Sequence, residues 1–75
     1  MRQQLWAFDS VSVDLEDRDV TVTFVNFLTH AEVKIRFRIA ENQLTGPADS
    51  LKRRLEVLAS ENILDLASFI DHQIW

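Results

Sequence analysis

Lys34, Arg36 and Arg38 alternate with Val33, Ile35, Phe37 and Ile39. In an extended strand, cations at every second position repeat at about 6.6 Å on one face. Such a row can track phosphates, so the three, with Arg53 further along the chain, form a candidate set of nucleic-acid backbone contacts. No aromatic side chain interleaves with them, so bases find no stacking platform there. Charged side chains also guard an edge strand against unwanted pairing. A solvated, charged edge is the preferred reading, and the phosphate-tracking face is the alternative.

The other reactive side chains are sparse. His30 falls in an expected turn and His72 near the chain end, with no converging third ligand for zinc and no orienting partner. Asp71 adjoins His72, but neighbours on a helix diverge by about 100°. The acidic run Asp14–Asp19 lacks the glycine and the distant glutamate of a calcium loop, and Arg18 interrupts it. Lys52-Arg53-Arg54 is too short to be specific and has Asp49 and Glu56 nearby for pairing. The chain has no cysteine and a single glycine, Gly46. A thiolate nucleophile, a cysteine zinc site and a glycine-rich phosphate cradle are thereby excluded. No catalytic residue, metal or cofactor is expected, and the chain reads as a non-enzyme.

The elements that would position these groups are legible from periodicity. With 75 residues the chain is one domain, residues 1–75, and 47% apolar content marks it as globular. Val11, Val13 and Leu15 alternate with polar residues, as do Val20, Val22 and Phe24, and then Val33 to Ile39. Glu16–Asp19 is the expected first turn and Thr29-His30 the second. That register sets Leu15 opposite Val20, Val13 opposite Val22 and Val11 opposite Phe24. On the other side it sets Phe24 opposite Ile35, Val22 opposite Phe37 and Val20 opposite Ile39. Both hairpins then share one apolar face, which predicts an antiparallel three-stranded meander over residues 5–39. Val13, Val22, Ile35 and Phe37 are expected in the core with Leu55.

Residues 47–74 carry helical periodicity, opened by Pro47 and Asp49. Leu51, Leu55 and Leu58 form one stripe; Ile63, Leu66, Ala67, Ile70 and Ile74 form a second, offset from it. One helix of this length would reach ~40 Å, while a seven-residue strand spans only ~23 Å. Either the helix breaks or kinks near Ser60, which is the favoured expectation, or its end overhangs the sheet. The fold class is α+β: a meander followed by helix packed on one sheet face.

More bulky apolar residues remain than one sheet face and one helical layer enclose. Trp6, Phe8, Val25 and Phe27 fall on the outward phase at one end of the sheet, and Phe69, Ile74 and Trp75 lie in the last helical turns. These seven are the candidate partner interface. A β-bulge near Asp9 or Val25 would instead return the first group to the core. The expected function is a small protein-interaction module that forms a homodimer or docks on a heterologous protein. An adaptor, a regulator or an inhibitor would have this outline, as many small bacterial and phage proteins do. No motif assigns the chain to one family. Net charge −4 weighs against nucleic acid as the partner. No apolar run is long enough for a membrane span, and no apolar signal segment follows Met1. A cytoplasmic location is the expectation.

Overall fold

Two four-residue turns set the register of the sheet, and both are built the same way. Asp14 Oδ1 accepts the backbone N–H groups of Glu16 and Asp17, at 3.0 and 3.3 Å. Asn26 Oδ1 accepts those of Leu28 and Thr29, both at 2.9 Å. Four residues after each of these caps, Arg18 (φ 57°) and His30 (φ 62°) turn the chain in the left-handed region. A short side chain that bonds its own backbone thus does what Asn-Gly does in a tighter hairpin.

The computed structural model describes residues 5–74. Strands β1 (Trp6–Asp14), β2 (Asp19–Asn26) and β3 (Glu32–Arg38) form one antiparallel sheet in the order β1-β2-β3. A 3-10 turn (Glu41–Gln43) leads to helix α1 (Ala48–Ile74), which packs on the sheet. This is the expected α+β meander and helix.

The pairing differs from expectation by two residues. Val13 faces Val20, Val11 faces Val22, and across β2 Val20 faces Phe37 and Val22 faces Ile35. Even shifts preserve parity, so the expected apolar face is kept. The shift does eject Leu15 from the strand into the first turn, where it is 75 % exposed. Ile39 also leaves β3, yet it is buried, with its N–H donated to the Arg18 carbonyl at 3.0 Å.

A bulge lies between Phe8 and Ser10. Asp9 is the extra residue, and it changes the phase of everything before it. Phe8 now faces Phe24, with ring centroids 5.0 Å apart, and Trp6 faces Asn26. Trp6 and Phe8 therefore lie on the helix side of the sheet, not on its outer face. Deleting Asp9 would leave a regular ladder with every side chain on its present face. We expect the Asp9 deletion to stay folded, within about 1 kcal/mol of wild type in a urea titration. Deleting Ser12 reverses the phase of half a strand and should unfold the chain. Equal damage from the two deletions would refute the phase-shifting role of Asp9.

Val20, Val22, Ile39, Leu55 and Ala59 form the buried core. Val13, Ile35 and Phe37 pack against it half-covered, since a single helix roofs three strands. Gly46 (φ 102°) and Pro47 precede α1, and the Pro47 carbonyl accepts the first helical bond, from Leu51 N–H. Arg54 anchors this connection by donating to the carbonyls of Gln43 (2.7 Å) and Thr45 (3.1 Å).

The break expected near Ser60 is absent, and α1 is one helix of 27 residues. Ser60 Oγ donates to the Glu56 carbonyl at 2.8 Å, and Asn62 Nδ2 donates to that of Leu58 at 2.9 Å. Both side chains bond backward to their own helix and cap nothing. No glycine or proline lies between 48 and 74 to interrupt it.

Candidate functional site

The helix outruns its support. Its first turns lie beside β1, where Ala48, Leu51 and Leu55 line a groove with Val11 and Val13. Further along, Leu58 lines a groove with Phe37 and Ile39, and Ile63 lines one with Trp6, Phe24 and Val33. So α1 starts on the β1 side of the sheet and by Ile63 has reached the end of the sheet that carries the second turn. The helix contacts all three strands within about its first sixteen residues, or ~24 Å of its length. Beyond Ile63 every described residue of the helix is exposed.

The apolar pattern does not stop where the sheet does. Leu55, Ala59, Ile63, Leu66, Ile70 and Ile74 recur every three or four residues and share one side of the helix. Leu55 and Ala59 are sealed against the sheet. Leu66, Ile70 and Ile74, on the same side, are 48, 43 and 63 % exposed. Phe69 flanks them at 59 % exposed, whereas Leu64, 70 % exposed, falls on the opposite side of the helix. The charges of this segment, Glu61 and Asp65, fall on the opposite side by helical spacing, and Asp71 lies at the rim. Where the overhang begins, Trp6, Phe24, Val33 and Ile63 line an apolar groove of about 340 Å³.

The expected interface residues are only partly brought together. Phe69 and Ile74 lie on the overhang. Trp6 lines the groove at its root, and Phe8 packs against Phe24 with the rings tilted by 44°. Val25 stays on the outer face opposite Ala7, and Phe27 sits exposed in the second turn. The four-residue aromatic end expected on the outer face is thus split by the Asp9 bulge. Trp75 lies outside the described residues. The expected set leaves out Ile63 and Leu66, although the three-four spacing that joins them to Leu55 is in the sequence.

The basic residues are held by carboxylates. Arg36 donates to Asp19 at 2.7 Å, and Arg38 lies 3.8 Å from the same carboxylate. Lys34 lies 3.7 Å from Glu32, and Arg53 lies 3.9 Å from Glu56. Lys34, Arg36 and Arg38 line the outer face, whereas Arg53 is on the helix across the sheet, so the four do not form one surface.

The hydrogen bond from Arg36 holds the Asp19 carboxyl below its usual 3.8, and the same contact raises Arg36. A carboxylate with a depressed folded-state value stabilises above its unfolded value and loses that stabilisation as pH falls through the folded value. Wild type should therefore lose stability more steeply than Asp19→Asn between about pH 5 and pH 2, and in parallel with it above ~pH 5. Thermal midpoints across pH test this; identical slopes in acid would show that the pair does not persist in solution.

Among the described residues, no three His, Cys, Asp or Glu side chains are placed to hold a metal ion. No helix among them is long and apolar enough to cross a membrane. Comparison with protein-family models, with curated proteins and with solved structures finds no match.

Proposed function

We propose that this chain is a non-catalytic protein-interaction module that docks through the overhanging half of α1. The observation that supports this most directly is the continuity of one apolar line. Its first members, Leu55 and Ala59, form core, and its last members, Leu66, Ile70 and Ile74, face solvent. Contiguous apolar surface of this kind on a small domain marks a partner site. An adaptor, regulator or inhibitor role suits a surface with no chemistry beside it, and a cysteine-free chain suits the cytoplasm. Nucleic-acid binding through the outer face has less support, because Asp19 and Glu32 pair with its cations.

Site-specific photo-crosslinking tests this reading. A photoreactive residue at position 70 should give covalent adducts in cells, and one at position 34 should not. Adducts from 34 alone would overturn it, and nucleic acid in those adducts would install the alternative.

A further inference from the structure

Before Ile63 the sheet fills one side of α1 and seals Leu55 and Ala59. Past Ile63 the same side carries Leu66, Ile70 and Ile74 into solvent over ~16 Å of helix. A second helix can lie along this apolar line only in that free stretch. Resting on the docking surface proposed above, we propose that its occupant is the same stretch of a second copy of this chain. The two overhangs pair antiparallel about a two-fold axis near position 68, helix against helix, with the two sheets at opposite ends.

The spacing of the line favours this arrangement. Ile63, Leu66, Ile70 and Ile74 are placed almost symmetrically about position 68. Antiparallel pairing there sets Ile63 level with Ile74 of the second copy and Leu66 level with its Ile70. Every layer is then apolar on both sides, and Ala67 beside Leu66 leaves room for the larger side chain opposite. At the level of Ile63 lies the apolar groove of about 340 Å³ between Trp6, Phe24, Val33 and Ile63. Ile74 of the second copy reaches the mouth of that groove, so each copy fills the other's. Charge permits the pairing. Glu61, Asp65 and Asp71 each lie roughly 90° or more around the helix from the centre of the line. No carboxylate enters the seam, and two acidic segments meet through apolar side chains. Parallel pairing is blocked, because it would run the earlier turns of the second helix into the first copy's sheet. The antiparallel partner instead carries its sheet away beyond Ile74, and the two-fold axis closes the assembly. The exposed parts of Leu66, Phe69, Ile70 and Ile74, with those of Trp6 and Val33 at the groove, amount to roughly 600 Å² per chain. The dimer thus buries up to ~1,200 Å² in all, the lower bound for a stable interface.

The absence of native cysteine makes the test direct. Asn62 and Gln73 are exposed and flank the line on one side, and the proposed pairing brings position 62 of one copy beside position 73 of the other. Like positions stay about 13 Å or more apart along the helices. Wild type should sediment at twice the monomer mass at ~100 µM. A mixture of Asn62→Cys and Gln73→Cys, treated with a short bis-maleimide, should give a covalent dimer joined from 62 to 73. Neither variant alone should cross-link efficiently. A wild-type monomer at that concentration overturns the proposal, as does a dimer in which position 62 joins to itself or to nothing. The two readings fail separately: adducts from position 70 that carry a different protein would keep the docking surface while removing the second copy from it.

Discussion

Leu55→Ala is expected to lower the folding free energy by about 2–5 kcal/mol, the range for a buried leucine whose cavity cannot collapse. Leu55 is 1 % exposed and sits where the helix meets the centre of the sheet, with Val20 and Val22 among its core neighbours. Domains of this size hold only about 5 kcal/mol in reserve, so the variant keeps at most about 3 kcal/mol and its urea midpoint should fall by about 40 % or more. Leu64→Ala makes the same chemical change in the same helix at a side chain 70 % exposed. In the monomer it should cost no more than about 0.5 kcal/mol. Urea titrations of both variants at low protein concentration measure the contrast. Equal losses would mean that the overhang is covered within the single chain, and the docking surface would go with it.

The second large effect is on association. Leu66→Asp combined with Ile70→Asp places two charges in the line that continues past the sheet. Buried anchors at an interface are worth about 2 kcal/mol or more each, so binding should weaken by roughly 10³-fold. The fold should survive, because neither side chain belongs to the core. Carboxylates near a helix C-terminus cost about 0.3–1 kcal/mol each, which the monomer can absorb. If the partner is a second copy, the wild-type thermal midpoint rises with protein concentration and that of the double variant does not. Concentration-dependent melting that persists in the double variant would place the interface elsewhere.

The topology and the apolar face are legible in the sequence because period-two and period-3.6 patterns are set by burial, and burial survives a two-residue error in register. The register itself is not, because the turn signal is unconventional. Asp14 and Asn26 act through side-chain bonds to the next backbone amides, and Arg18 and His30 adopt a backbone conformation in which glycine is the usual occupant. The Asp9 bulge is one of two alternatives that periodicity leaves open: an extra residue has no signature when polar and apolar residues alternate on both sides of it. The expected break at Ser60 fails because Ser-Glu-Asn resembles a cap. Its hydroxyl can equally bond backward, and a helix without glycine or proline continues. The candidate site is the least legible part. Phe8 and Phe27 share a phase in the sequence pattern, and the bulge that turns Phe8 to the helix side and the second turn that takes Phe27 out of β2 separate them.

The order of the elements has a consequence during synthesis. All three strands precede the helix in the chain, and each hairpin closes through only a short turn. Hairpins of this kind form in microseconds, whereas the ribosome adds about 5–20 residues per second. The residues from 39 to 74 therefore take a few seconds to appear. Through that interval the face bearing Val20, Val22 and Phe24 has no cover, beside two open sheet edges. A nascent chain in this state is a natural client for a holdase chaperone, and neighbouring chains on one messenger could meet strand to strand before either has its helix.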